Sequence, residues 1–259
     1  MIVGRSGTTE PPAQRRGGTA SGRPGAQSQG VLGFLREAAI VVVAALVISL
    51  VIKTFFAQAF YIPSESMEDT LKVDDRLIVN KLRPGPLDIQ RGDVVVFVDP
   101  GGWLRPHYEE PTVVQQVLTW VGLLPADAGE HLIKRVIGLP GDEVACCDDQ
   151  GRVTVNGAPL DEPYIKPGAV PSEKTFDETV PAEHLWVMGD NRPRSQDSRY
   201  SQGAVGGGFV PIDNVVGTAW VRVWPLDRLG MIGRSGETFA DVPDPGTREP
   251  APDQETAGD

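Results

Sequence analysis

One apolar run without a single charge, residues 38–52, dominates the hydropathy pattern of the chain. As a helix it reaches about 22 Å at ~1.5 Å per residue, and about 28 Å when continued past Lys53 to Phe56, close to the ~30 Å hydrocarbon core of a bilayer. A membrane span, a cleaved signal peptide and a buried core helix are the possible interpretations. Because a long, uncapped, charge-free run is not typical of an amphipathic core helix, the pattern predicts a membrane anchor over residues 37–60.

A possible cleavage site follows this run. Ala57-Gln58-Ala59 has the small-x-small form of a signal-peptide cleavage site, and cleavage there would make Phe60 the new N-terminus. The long arginine-bearing segment before the run, and the length of the run itself, favour an anchor that is retained. Residues 1–36 have few large apolar side chains and are predicted to be a disordered tail. The positive-inside rule assigns this tail to the cytoplasm and everything after Tyr61 to the outer side of the membrane.

Downstream of residue 61 the pattern changes to short β-branched runs bounded by Pro, Gly and Asp, which predict strands. These runs are residues 76–81, 92–97, 132–139, 185–188 and 215–223, with a small hairpin over 143–145 and 152–157. Residues 112–124 repeat apolar side chains every three or four positions and predict one amphipathic helix, packed on the sheet or lying at the membrane interface. Residues 158–181 are Pro-rich and irregular. The sequence therefore predicts a mainly β domain over 61–233, with a disordered acidic tail over 234–259.

Charge and cysteine content exclude some classes of partner. The net charge of −11 over 259 residues argues against a general affinity for nucleic acid. Cys146 and Cys147 are adjacent, so they provide neither a spaced disulfide framework nor a CxxC metal motif. A disulfide between neighbouring residues would be strained, so we expect free thiols or no structural role. No metal, no cofactor and no nucleic acid are expected.

Candidate chemistry lies in a serine-bearing turn, Ile62-Pro63-Ser64-Glu65-Ser66-Met67, which follows the apolar run almost without a spacer. Pro63 fixes its own φ and biases the preceding residue towards an extended conformation, so a strand should lead directly into the turn. A serine hydroxyl is a weak nucleophile unless a neighbouring base takes its proton. If Ser66 is a nucleophile, another part of the chain must therefore supply the base.

Three histidines and one lysine are candidates for the base. His107 lies among prolines and acids and His184 near a strand start, where each is expected to be solvated. His131 is three positions before Lys134, so strand alternation puts the two side chains on opposite faces. Lys134 interrupts an apolar strand, and its pKa must fall from about 10.4 to roughly 7–8 for it to act as a base. A strand-edge lysine pointing to water, beside an equally solvated Arg135, is the alternative.

Four separate motifs follow one another along the chain. They are Ser64-Glu65-Ser66-Met67 after the anchor, Arg91-Gly92-Asp93-Val94-Val95-Val96-Phe97, Lys134-Arg135-Val136-Ile137-Gly138-Leu139-Pro140-Gly141-Asp142, and Gly189-Asp190-Asn191-Arg192 with Ser195 and Asp197-Ser198-Arg199. In this order they resemble the motifs of bacterial type I signal peptidases, over roughly residues 38–230. The resemblance implies a mostly β, extracytoplasmic serine protease with a Ser-Lys dyad. Its implied substrates are exported preproteins with Ala-x-Ala signal peptides, and its other implied partner is the lipid bilayer.

The resemblance also implies a role for each matching residue. Ser66 corresponds to the nucleophile and Lys134 to the general base. Ser64 corresponds to an oxyanion donor that acts together with the Ser66 backbone N–H, and Ser195 to a residue that orients the Lys134 amine. The remaining implied residues are a supporting ion pair, Asp197 and Arg199, and two residues lining small pockets for Ala side chains, Ile62 and Ile133.

The chain departs from the family pattern after the nucleophile. Where many members have Ser-Met-x-Pro-Thr-Leu, it has Ser66-Met67-Glu68-Asp69-Thr70-Leu71, and the two acids are expected to raise the pKa of Lys134. Residues 145–185 are short for a second β-domain, so a small hairpin extension is expected. The alternatives are a different Ser-Lys hydrolase, related to self-cleaving repressors or to acyl-transferring hydrolases, and an inactive membrane-tethered binding module of the same fold.

Overall fold

The computed structural model describes residues 30–104, 112 and 131–246. Its first element is helix α1, Val31–Phe55, in which Gly33–Phe55 is long and apolar enough to cross a membrane. Apolar side chains along it are exposed, with Val41 at 67% and Ile48 at 60%. This exposure contradicts the interpretation as a buried core helix. The helix begins before the expected residue 37 and ends before residue 60, because the chain enters a strand after Phe56.

Twelve strands follow α1 in the described chain. They are β1 Ala57–Tyr61, β2 Arg76–Asn80, β3 Val94–Val98, β4 His131–Gly138, β5 Glu143–Cys146, β6 Val153–Val155, β7 Ala158–Pro159, β8 Phe176–Thr179, β9 His184–Met188, β10 Val210–Pro211, β11 Val215–Trp224 and β12 Gly230–Met231. Short 3-10 helices lie at Arg192–Arg194, Ile212–Asn214, Leu226–Arg228 and Gly236–Phe239. The large sheet has the order β1-β2-β11-β3-β4-β9-β10, with β12 paired to β11, and the small sheet has the order β7-β6-β5-β8.

The predicted strands of the large sheet are confirmed, and β4 is the central one for function. It lies between β3 and β9, and every residue from Leu132 to Gly138 is buried. A strand covered on both faces reads as a nearly continuous apolar run, which is why the sequence identified it. Lys134 and Arg135 are the exceptions in that run, and both are buried with the rest.

The extension is larger than the predicted hairpin. β5 and β6 form that hairpin, but β8 also pairs with β5 and β7 with β6, which makes a four-stranded sheet. The added strands come from residues 158–181, which the sequence pattern marked as irregular. Both were missed because they are short: β7 has two residues and ends in Pro159, and within β8 Phe176 alone is buried.

The predicted tail over 234–259 is wrong for its first part. Phe239 is 7% exposed and packs in the core of the small sheet with Val144 and Trp186, and Val242 packs against the same cluster. The Asn156 side-chain amide donates to the carbonyl of Pro243 at 2.9 Å. Two apolar side chains in an acidic stretch are thus enough to hold residues 234–246 on the β-domain. Residues 247–259 lie outside the described residues.

The expectation of free thiols is also wrong, because Cys146 and Cys147 are joined by a disulfide. β5 ends at Cys146, so the strand alternation that would direct neighbouring side chains to opposite faces no longer applies there. Two other predictions cannot be compared with the structure: His107, and the helix over 112–124 apart from Thr112, lie outside the described residues.

Candidate active site

The turn that carries Ser66 is fixed by apolar side chains on either side of it. Ile62 before the turn is 2% exposed, and Met67 and Leu71 after it are fully buried. The Leu71 N–H donates to the Met67 carbonyl at 2.7 Å, so the chain makes a helical turn there. Ser66 itself is 5% exposed. The hydroxyl therefore lies in a turn shortly after β1, on a backbone that the core holds in place.

Lys134 reaches this hydroxyl from the centre of the large sheet. Its side chain is 2% exposed, and Nζ lies 2.7 Å from Ser66 Oγ and 3.0 Å from the Ile133 carbonyl oxygen. The interpretation of Lys134 as a solvated strand-edge lysine is therefore wrong. The structure brings together the two residues that the sequence motifs singled out, although they are far apart along the chain.

Burial lowers the pKa of Lys134 from 10.5 to about 8. Loss of solvation is the largest cause, because an ammonium ion is disfavoured in an apolar interior. The carboxylates of Asp197 and Asp190 oppose this fall, and the Arg199 guanidinium adds to it. A lysine with a pKa of about 8 is partly neutral near pH 7, as a general base requires.

Two further groups lie close to the nucleophile. Ser64 Oγ is 3.3 Å from Ser66 Oγ, so the two hydroxyls face the same space. Asn191, which the sequence analysis did not single out, donates its backbone N–H to the Ser66 carbonyl at 3.1 Å and its side-chain amide to the Glu65 carbonyl at 2.9 Å. These bonds fasten the nucleophile turn to residues 189–199, which we call the polar loop.

The predicted ion pair within the polar loop is present and buried. Arg199 Nε and Nη2 lie 2.9 and 2.8 Å from Asp197 Oδ1 and Oδ2. Asp197 Oδ2 also accepts the backbone N–H of Gly189 at 3.0 Å. The pair therefore links the end of the polar loop to its first residue, Gly189, and fixes the shape of the loop backbone.

The predicted hydrogen bond from Ser195 to Lys134 is not found. Lys134 Nζ contacts Ser66 and Ile133 instead, and Ser195 Oγ is buried without a hydrogen-bond partner in the part of the chain that the structure describes. Ser195 is nevertheless adjacent to the nucleophile. A Cβ at Gly189 would collide with Ser195 Oγ and lie 2.5 Å from the Ser66 carbonyl oxygen, so the loop can approach the turn this closely because residue 189 is glycine.

A second buried ion pair was missed by the sequence analysis. Arg135 Nε and Nη2 lie 2.9 and 2.6 Å from Asp190 Oδ1 and Oδ2, and Thr70 Oγ1 donates to the same carboxylate at 2.5 Å. Arg135 Nη1 also donates to the Gly92 carbonyl at 2.8 Å. The pair connects the strand residue next to the base with the polar loop and with the turn that follows Ser66.

The expected effect of Glu68 on Lys134 is wrong. Glu68 Oε2 lies 2.7 Å from Lys166 Nζ, and the hydrogen bond from Lys166 is the largest cause that lowers the pKa of Glu68. The pKa of Lys134 falls rather than rises, and the carboxylates that oppose the fall are Asp197 and Asp190. Glu68, two positions after Ser66, is thus paired with Lys166.

A small cavity opens beside the dyad. Its volume is about 80 Å³, and it is lined by both predicted pocket residues, Ile62 and Ile133, together with Ser64 and Lys134. A cavity of this volume has room for a small side chain. His131 lines the same cavity, whereas His184 lies against the Ala182 carbonyl, with Nδ1 at 2.7 Å.

Comparison with known proteins is consistent with this geometry. The family described as signal peptidase, peptidase S26 matches residues 35–224. A probable signal peptidase I of Mycobacterium leprae (strain TN) is 41% identical over 77% of this chain and 79% of its own. Signal peptidase I of Leptolyngbya laminosa is 40% identical over 86% and 92%, and that of Mycobacterium tuberculosis (strain ATCC 25618 / H37Rv) is 40% identical over 76% and 75%. The matched range contains every site residue described above, and the chain belongs to the signal peptidase S26 family.

Proposed function

We propose that this protein is a membrane-bound serine endopeptidase that removes Ala-x-Ala signal peptides from exported preproteins by a Ser-Lys dyad. The observation that carries the proposal is the buried contact of 2.7 Å between Lys134 Nζ and Ser66 Oγ. A lysine with a lowered pKa beside a serine is the arrangement that activates a hydroxyl without a histidine. The family membership supports the signal peptide as the substrate class.

The proposed reaction follows from the two side chains. Ser66 Oγ attacks the scissile carbonyl carbon while Lys134 Nζ accepts the hydroxyl proton. Ser64 Oγ–H and the Ser66 backbone N–H donate to the oxyanion that forms. The ammonium of Lys134 then gives its proton to the leaving amine, and the C–N bond breaks to leave an ester on Ser66. A water molecule, deprotonated by Lys134, hydrolyses this ester and restores the free hydroxyl.

The cavity accounts for the proposed preference for alanine. A substrate that lies extended beside the dyad directs alternate side chains to the same side. With about 80 Å³ between Ile62 and Ile133, a methyl group fits next to the scissile bond and a large side chain does not. Because Ser64 and Lys134 also line the cavity, we assign that preference to the residue whose carbonyl is attacked.

Helix α1 supports anchoring in the bilayer by one span. Ala57-Gln58-Ala59 belongs to β1, whose residues pair with β2 from Ala57↔Asn80 to Tyr61↔Arg76. Cleavage after Ala59 would remove three of the five residues of an edge strand, so the structure favours a retained anchor over a cleaved signal peptide. Exposed Trp220 at 51%, Trp224 at 48% and Met231 at 65% offer apolar surface suited to the membrane interface.

The first prediction concerns the substrate. The detergent-solubilised full-length protein is expected to cut a preprotein after the second alanine of its Ala-x-Ala site. Replacing that alanine by phenylalanine is expected to lower the rate about 10²-fold, because an aromatic ring overfills the cavity. Mass spectrometry of the products gives the cut position. No cleavage by folded protein, or equal cleavage after alanine and phenylalanine, would contradict the proposal.

The second prediction concerns orientation, which we propose from the positive charge of residues 1–36. Protease added outside intact cells is expected to degrade the β-domain and to leave an epitope tag at residue 1 intact. Permeabilised cells, in which both ends are accessible, provide the control. Protection of the β-domain together with loss of the tag would reverse the proposed orientation.

A further inference from the structure

The connection between β7 and β8, residues 160–175, which we call the extension segment, packs on the polar loop through a buried ion pair. Arg192 Nη1 and Nη2 lie 2.8 and 2.5 Å from Glu162 Oε2 and Oε1, and both side chains are 2% exposed. The Tyr164 hydroxyl donates to Glu162 Oε1 at 2.8 Å. The Glu162 carboxylate, which lies outside the large sheet, is therefore fully paired with Arg192 of the polar loop.

The same segment also reaches the residue next to the base. The Arg135 guanidinium carbon lies 4.2 Å from the centroid of the Tyr164 ring, a cation–π contact that is strong when it is desolvated. Arg135 follows Lys134 directly in β4 and holds Asp190 by two hydrogen bonds. Tyr164 thus contacts both sides of the site: the Arg135–Asp190 pair by its ring, and the Glu162–Arg192 pair by its hydroxyl.

We propose that Glu162 and Tyr164 are positioning residues for the Ser66–Lys134 dyad, holding the polar loop and β4 together from the side of the small sheet. The proposal rests on the proposed function, because it assigns these residues a part in the same reaction. It is distinct from the dyad itself, since the side-chain hydrogen bonds of Glu162 and Tyr164 are made with each other and with Arg192.

The contacts show how this support reaches the dyad. Arg192 Nε donates to the Gly189 carbonyl at 3.1 Å, and the Arg192 carbonyl accepts from Arg199 Nη2 at 2.9 Å. Gly189 is the residue that packs against Ser195 and the Ser66 carbonyl. Removing the partner of Arg192 leaves a buried charge unpaired, so the loop must move to solvate it. Such a shift would misplace Ser66 and admit water to Lys134.

The experiment compares the kinetics of three full-length variants with wild type on an Ala-x-Ala preprotein. Tyr164→Leu removes the ring over Arg135, Tyr164→Phe removes the hydroxyl alone, and Glu162→Gln weakens the pair with Arg192. We expect Tyr164→Leu and Glu162→Gln to lower kcat about tenfold with KM within about twofold, because a dyad that is slightly misplaced still binds substrate. Tyr164→Phe should lower kcat by about threefold, because its ring is retained.

The pH profile separates positioning from simple loss of stability. The charged groups facing Lys134 are Asp190, Asp197 and Arg199, and all remain in these variants. If water enters, the desolvation that lowers the Lys134 pKa is reduced, so the acid limb of kcat/KM should move to higher pH. A variant that is merely less stable loses the same fraction of activity at every pH at which it is folded.

Phe176→Leu is the matched control, because Phe176 lies in the small sheet and packs against Trp186, with ring centroids 5.2 Å apart. It should reduce thermal stability about as much as Tyr164→Leu and leave kcat and the pH profile of the folded enzyme unchanged. Wild-type kcat and pH profile in Tyr164→Leu and Glu162→Gln, with wild-type protein active, would overturn the inference alone. An inactive wild-type protein would instead overturn the proposed function. Cleavage at the wild-type rate by the Lys134→Met variant would do the same. If Glu162→Gln does not fold, Tyr164→Leu and Tyr164→Phe still decide the matter.

Discussion

Lys134→Met is expected to abolish preprotein cleavage, with a loss of at least about 10³-fold, while the protein stays folded. Methionine has nearly the same length and is apolar, so it fits the buried site between β3 and β9 without a solvation cost. It cannot accept a proton from Ser66. Ser66→Ala is expected to give a loss of the same size, and the double variant no further loss, because the two residues act as a unit.

The unfolding temperature of Lys134→Met is a second measurement that tests this prediction. The folded pKa of Lys134, about 8, is below its ordinary value of 10.5, so the unfolded chain binds the extra proton more readily between these values. Burial of Lys134 therefore disfavours folding by roughly 3 kcal/mol below about pH 8, and this cost declines as the pH rises towards 10.5. Lys134→Met should unfold at a temperature at least as high as wild type near pH 7.

The pH dependence of the wild-type rate should report the ionisation of Lys134. The proposed mechanism requires neutral Lys134, so kcat/KM is expected to rise with pH through an apparent pKa of about 8. Cleavage at a wild-type rate by Lys134→Met, or a rate independent of pH between about 6 and 10, would remove Lys134 from its proposed role. Loss of activity together with a fall of the unfolding temperature would point to a packing role instead.

Ser66 and Lys134 could be predicted as candidate catalytic residues because each stands out from its local sequence. Lys134 is one of two adjacent charges in an otherwise apolar strand, and Ser66 lies in a proline-led turn shortly after a long apolar run. The residues alone left open whether Lys134 was solvated, since charged side chains are usually exposed. The resemblance of four ordered motifs indicated that Ser66 pairs with Lys134. The burial of β4 explains why the Lys134 side chain is not solvated.

The support around the dyad could not be predicted, because it depends on contacts between distant parts of the chain. Glu162 and Tyr164 lie in a Pro-rich stretch without a period, so no pattern marked them as buried. Their partners Arg135 and Arg192 were recognised as motif residues but not as members of buried pairs. The disulfide at Cys146 was missed for a related reason: its formation depends on where β5 ends.

Asp190→Asn is expected to be the most destabilising single substitution among the ion pairs of the site. It removes the charge that pairs with Arg135, and the two side chains are 0% and 1% exposed. Breaking a buried pair from one side leaves the other charge uncompensated, at a cost of about 3–5 kcal/mol. For a domain of this size that corresponds to a fall in the unfolding temperature on the order of 10 °C.

The same substitution should shift the pH profile in a defined direction. The Asp190 carboxylate raises the pKa of Lys134, so its neutralisation should move the acid limb of kcat/KM to lower pH while kcat falls. Asp148→Asn is the matched control, because Asp148 also pairs with an arginine, Arg152, at 2.8 Å, but with side chains 22% and 28% exposed. A partly exposed pair of this kind contributes little to stability, because solvent screens the two charges.

Equal stability losses in Asp190→Asn and Asp148→Asn would show that burial does not increase the contribution of the Arg135–Asp190 pair to stability. The double substitution Arg135→Met with Asp190→Leu tests the reason for the loss. Replacing both charges by apolar groups should recover much of the stability, because no unpaired charge remains. Cleavage should stay low, because the bonds that Asp190 accepts from Thr70 and that Arg135 donates to Gly92 are lost with the pair. Stability and activity would then separate, as expected if the pair's function is to position the dyad.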